Sequence, residues 1–129
     1  MVCNCNNNIN NSDDTLIQFI AGTSFSVTVT FDSDISTYTN AVFSIRKNYD
    51  TEPVINKTIS ISDSASLDIN LLPSETAQFN SFINGKDSAT YIWGLDLIDT
   101  NANVVVNVFP LTGNPAPLCI VYKHVVKEN

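Results

Sequence analysis

Basic residues are scarce in this chain: six Lys and Arg stand against 13 Asp and Glu, for a formal net charge of -7. A surface of that sign repels duplex DNA and anionic lipid, so neither nucleic acid nor membrane is expected as a partner. His124 is the only histidine, which excludes a metal site built on several imidazoles and makes any Ser/His/Asp triad depend on that one residue. The four glycines form no phosphate-cradling run, and no basic patch interleaved with aromatics is present. No apolar run approaches the roughly 20 residues a membrane helix needs. The start, Met1-Val2-Cys3-Asn4-Cys5, has neither the basic residues nor the apolar stretch of a secretion signal, so a protein made in a cytoplasm is expected. Three cysteines, two of them one residue apart, make a poor disulfide framework.

What the chain does have is apolar content in short, regular bursts, 43% of its 129 residues. That length suits one domain with one core, burying roughly two thirds of the surface its unfolded form exposes. Residues 4–14 are the exception, a polar tract dominated by Asn in which Ile9 is the one apolar member. Such a tract cannot build a core. It reads as a flexible leader, or as an assembly arm, carried by Cys3, Asn4, Cys5, Ile9 and Asp14, that orders only against another subunit. The expected division is therefore an arm over 1–14 and a folded domain over 15–129.

Within that domain the period is two. Residues 24–31 put Phe25, Val27, Val29 and Phe31 on one face and Ser and Thr on the other, as a half-buried strand requires. Residues 16–20 read as a short edge or arm strand before it. Ala41, Phe43 and Ile45 alternate with Val42, Ser44 and Arg46; Ile55, Ile59 and Ile61, then Leu67, Ile69 and Leu71, hold one face each. Residues 62–66 between them look like a hairpin connection. Tyr91, Trp93, Leu95 and Leu97 point inward against Gly94 and Asp96, and residues 104–109 and 118–126 complete the set. The one helical signal lies at about 73–84, with Pro73 in the first turn, Glu75 complementing the dipole, Gly85 to cap the end, and Phe79, Phe82 and Ile83 as a lid. Seven or eight short strands at intervals near ten residues predict an all-β, immunoglobulin-like antiparallel sandwich with one short helix. Its expected core anchors are Phe25, Phe31, Phe43, Trp93 and Leu95.

Candidate chemistry is thin. Cys3 and Cys5 are half of a thiolate site that only Cys119 and His124 could complete, so bystander residues in an arm, then interchain disulfides, are the preferred readings. Cys119, in an apolar strand, reads as a buried thiol. Asp32 with Asp34, and Asp96 with Asp99, flank turns as calcium loops do, but lack the dense acidic cluster with a turn glycine. No catalytic, cofactor or metal site is expected, and no small-molecule substrate.

Three stretches in order, residues 24–31, then Phe43-Ser44-Ile45-Arg46-Lys47-Asn48-Tyr49-Asp50, then Tyr91-Ile92-Trp93-Gly94-Leu95-Asp96-Leu97-Ile98-Asp99, carry a resemblance. With the leucine-rich strand and helix start at residues 67–77 between the last two, the chain resembles the small immunoglobulin-like domains of tailed-phage virion proteins. That group includes the N-terminal domain of upper baseplate proteins and related head-decoration or head-fibre proteins. The resemblance spans about residues 16–126. It departs at Phe109-Pro110-Leu111-Thr112-Gly113-Asn114-Pro115-Ala116-Pro117, where a glycine-led final strand belongs, and at the Asn-rich tract, whose bias fits an AT-rich genome such as that of a crAss-like phage. It implies a non-catalytic capsid auxiliary or fibre-anchoring protein of the virion. Its expected partners are the major capsid protein or fibre and baseplate subunits, in a multi-copy symmetric assembly. A baseplate or tail-fibre attachment domain is the alternative within that group, and a glycan-binding or adhesin-like module the alternative outside it, should Trp93 and Tyr91 be exposed.

Overall fold

The structure is a computed structural model that describes residues 15–79, 86–101 and 103–126. Among the described residues there are eight strands: β1 (Ile17–Ile20), β2 (Phe25–Thr30), β3 (Asn40–Arg46), β4 (Ile55–Ser60), β5 (Ser66–Leu71), β6 (Ser88–Asp99), β7 (Val104–Phe109) and β8 (Leu118–Tyr122). Six of them form one sheet in the order β1-β8-β6-β3-β4, with β7 also paired to β6, while β2 and β5 form a second sheet. The 12-residue β6 is the spine: β3 runs along one side of it, and β8 and β7 share the other. β8 lies opposite Ser88 to Ile92 and β7 opposite Leu95 to Asp99, so the two are successive halves of one strand interrupted by residues 110–117. All pairings are antiparallel except β1 with β8, which is parallel. The result is the immunoglobulin-like sandwich the strand pattern predicts.

Alternation explains which side chains fill it. Val27 and Val29 of β2 and Leu67, Ile69 and Leu71 of β5 are buried against Ala41, Phe43 and Ile45 of β3 and Tyr91, Trp93, Leu95 and Leu97 of β6. Two aromatic chains run through this core. Phe25, Phe19, Phe79 and Tyr91 follow one another at centroid spacings of 5.1, 5.4 and 5.0 Å. Trp93 sits between Phe43, at 5.8 Å, and Phe109, at 5.0 Å, in tilted contacts of the kind aromatic quadrupoles favour. Of the expected anchors, Phe31, Phe43, Trp93 and Leu95 are buried, whereas Phe25 is only half-buried, packed on the margin against Phe19.

Three expectations need correction. Residues 62–66 are not a hairpin connection, because β4 pairs with β3 and β5 with β2; the chain crosses here from one sheet to the other, and Ser66 is already the first residue of β5. Asp63 turns the chain there by accepting the N–H groups of Ala65 and Ser66 at 2.8 and 3.2 Å, and Phe31 and Ile35 donate their N–H groups to Ala65 and Ser64. The last strand ends at Tyr122, and Val125 and Val126 beyond it are exposed. The helix α1 covers only Pro73–Thr76 and passes into a 3-10 turn over Ala77–Phe79. That tighter turn accompanies the burial of Phe79 between Phe19 and Tyr91; Phe82, Ile83 and Gly85 lie outside the described residues.

Local chemistry holds α1 in place. Pro73 occupies its first turn, and the Glu75 carboxylate accepts the Leu72 N–H at 2.8 Å. Lys57 of β4 bridges the two sheets by donating to Glu75 at 2.9 Å and to the Asn70 carbonyl of β5. The fully buried Thr76 donates its hydroxyl to the Thr23 carbonyl at 2.7 Å, which ties α1 to the start of β2. Among the described residues no helix is long and apolar enough to cross a membrane.

Candidate interaction surface

The two outward faces of the sandwich differ in chemistry. On the β2–β5 sheet the outward side chains are Ser26, Thr28, Thr30, Ser66, Asp68 and Asn70, laid opposite one another by the register. Ser26 donates to Asn70 and Thr28 to Asp68, each at 2.7 Å, so this face is a hydrogen-bonded polar ladder. It is finished as a solvent-facing surface.

The outward face of the larger sheet is different at its β1–β8–β6 end. Leu118-Cys119-Ile120-Val121-Tyr122 is apolar at every position, so while Cys119 and Val121 are fully buried, Leu118, Ile120 and Tyr122 face outward. The register places Ile20 opposite Tyr122, Gln18 opposite Ile120, and Ile92 opposite Leu118. Ile20 is 44% exposed, Leu118 47% and Tyr122 40%, while Ile120 and Ile92 are half-buried. Tyr122 donates its hydroxyl to Gln18 at 3.0 Å, which fixes the ring along the strip. A strand with one face meant for water alternates apolar with polar residues, and β8 does not.

At the Leu118 end the strip opens into a groove of ≈460 Å³ between Thr15, Leu16 and Ile120 on one side and Leu111, Pro115 and Pro117 on the other. The 110–117 segment that walls it follows a cis Phe109–Pro110 bond, turns at Gly113 with φ 85°, and is anchored where the Ala116 N–H donates to the Tyr49 hydroxyl at 2.9 Å. Among the described residues no charged side chain lines the groove. Further along the sheet a smaller cleft of ≈220 Å³ lies over Gly94, with Ser44, Arg46, Asp96 and Asn107 as its polar members in a lining that is otherwise mostly apolar. Asn107 donates to the Asp96 carboxylate at 2.8 Å and to the Phe109 carbonyl at 3.0 Å. A side chain at position 94 would press on that same carbonyl, at 3.1 Å from a Cβ, so glycine lets β7 approach β6 here.

Among the described residues no group of three or more His, Cys, Asp or Glu side chains could hold a metal ion. Asp34 accepts the Ser36 N–H at 2.8 Å, and side-chain and backbone bonds from Ser36 hold its carboxyl below the ordinary value. Asp99 likewise accepts the Asn101 N–H at 3.0 Å. Both of those are turn-forming bonds, and Asp96 is used by Asn107 within the strand pair. His124 is half-buried against Gly22, whose φ of +81° is reserved for glycine. Cys119 is fully buried, and burial pushes its thiol up to about 12, so it is protonated and unreactive at neutral pH. Cys3, Asn4, Cys5, Ile9 and Asp14 lie outside the described residues. Trp93 and Tyr91 are 2% and 6% exposed and supply no aromatic platform to solvent. The sequence signal of the strip is five consecutive apolar residues, a pattern it shares with a strand buried on both faces. No protein-family model matches the chain, and no curated protein matches it.

Proposed function

We propose that the chain is a non-catalytic structural protein of a phage virion: a head auxiliary or decoration protein, or one that anchors a head fibre, which binds neighbouring subunits and stabilises the capsid. The observation that carries this reading is the uncharged apolar strip of Ile20, Leu118, Ile120 and Tyr122 with its adjoining groove, on a domain whose opposite face is a polar ladder. A module so divided has one side for docking and one for solvent. The motif order of residues 24–31, 43–50 and 91–99 supports the virion assignment, and the net charge of -7 suits a coat that must stay soluble and clear of packaged nucleic acid. The arm over residues 1–14 has too little apolar content to offset the entropy of ordering in isolation, so its role in this reading is to wrap a neighbouring subunit.

The test is occupancy on purified virions, by quantitative mass spectrometry and cryo-EM, for the full chain and for a chain lacking residues 1–14. The full chain is expected on the particle in many copies. The truncated chain is expected to keep its melting temperature and lose occupancy. Absence of the full chain from virions would overturn the proposal, and equal occupancy of the two would reduce the tract to a leader.

A further inference from the structure

We infer that the apolar strip is a two-fold interface between two copies of this chain. The inference rests on the reading of that strip as a docking surface and names its occupant.

Charge is the first argument. Each copy carries a net charge of -7, so two copies repel unless they meet where neither brings charge. Among the described residues the strip and its groove are that place: their side chains are apolar or amide and hydroxyl groups, and charged residues border them, with Arg46 opposite Ile92, Lys47 donating to the carbonyl of Thr90, the β6 partner of Ile120, and Asp87 and Lys123 beyond the Tyr122 end. A partner recognised by charge would be expected to meet ionised groups within the contact, and among the described residues the strip itself carries none.

Shape is the second. The strip is a ridge at one end, formed by Ile20 and the Tyr122 ring held by Gln18, and a groove at the other, beside Leu118. Leu118 and Tyr122 are the two ends of β8, roughly 13 Å apart at the rise of a strand. A two-fold axis passing near Ile120 therefore carries the ridge of each copy onto the groove of the other. That is the self-complementarity an isologous contact demands, and it closes at two copies without leaving an open end.

The experiment is sedimentation equilibrium of the full chain from about 5 to about 500 μM, a range that brackets weak and moderate dimers, at low and high salt. Two-copy mass at the upper concentrations is expected, unchanged or strengthened by salt, since no charge pair is screened and repulsion between the copies is. Leu118→Glu, which sets an unpartnered carboxylate against the Ile20 and Tyr122 end of the other copy, should weaken association by at least about tenfold. Leu118→Ser serves should the charge disturb folding, with far-UV circular dichroism as the check, and Thr28→Glu on the polar ladder should associate like the parent. A parent chain that is monomeric at every concentration in both salts overturns the inference, as does a Leu118→Glu chain that is folded and associates equally well. A monomeric parent that still occupies virions, with Leu118→Glu losing occupancy, would sink the two-fold contact and keep the docking surface for another virion subunit.

Discussion

Replacing Trp93 by alanine empties the centre of the second aromatic chain. The ring is 2% exposed and lies 5.8 Å from Phe43 and 5.0 Å from Phe109, and contacts of this kind contribute about 0.5–1.5 kcal/mol each beyond their area. Its Nε1–H donates to the Thr15 carbonyl at 2.9 Å, about 1 kcal/mol more, and this bond pins the segment that enters β1. The whole cost of emptying a buried aromatic site, transfer and cavity included, is about 3–5 kcal/mol, and these contacts place Trp93 toward the upper end of that range. For a domain of this size that lowers the melting temperature by roughly 10–20 °C. Because Trp93 is the only tryptophan, urea unfolding of the variant is followed by far-UV circular dichroism in place of fluorescence. Trp93→Phe keeps most of the ring and loses the N–H, so it should fall between the two, nearer the parent. A loss under about 1 kcal/mol for the alanine variant would refute the packing described here and place the side chain at the surface.

Two pH-linked outcomes follow from buried or bonded groups. The folded Cys119 thiol is raised from an ordinary 9.0 to about 12, so above pH 9.0 the unfolded chain sheds a proton that the folded chain keeps. Stability is then untouched below pH 9.0 and falls as the pH climbs toward 12; thiol labelling with peptide mapping should find Cys119 protected until denaturant is added, and rapid native labelling would contradict its burial. For Glu75 the sign is opposite: the Leu72 N–H, then Lys57, hold its carboxyl below 4.5, so its contribution is full above 4.5 and is lost as the pH drops through the folded value. Glu75→Gln should cost about 0.5–1.5 kcal/mol at neutral pH, a gap that narrows progressively as the pH is lowered below 4.5, read from the two melting temperatures at each pH; an unchanging gap across the acid range would show that the ion pair with Lys57 is idle.

Strands with one polar and one apolar face were legible because a period of two states both the element and its inward side. That is why Val27, Val29, Phe43, Ile45, Ile69, Trp93 and Leu95 are where the pattern puts them. Partner choice was not legible, since it depends on contacts remote in sequence: nothing in residues 62–66 tells a hairpin from a crossing between sheets, and nothing in Ile17–Ile20 announces a parallel pairing with a strand about 100 residues later. The helix was over-extended because Pro73, Glu75 and the spacing of Phe79, Phe82 and Ile83 satisfy a helical template, whereas the described part of the chain tightens at Ala77. The docking strip was hidden by its own composition. An all-apolar stretch such as Leu118–Tyr122 reads as simply buried until the sheet shows that one of its faces is uncovered.

The parallel union of β1 and β8 has a mechanical consequence. Four rungs join Ile17–Ile20 to Cys119 through Tyr122, and because the strands run the same way, the chain enters the pair at one end and leaves it at the other. Tension applied between the two ends of the domain pulls along the strands and loads all four rungs together in shear, where an antiparallel pair held at one end would peel rung by rung. The strip that faces outward from this pair is therefore carried on the part of the sandwich best braced against being drawn out by its ends.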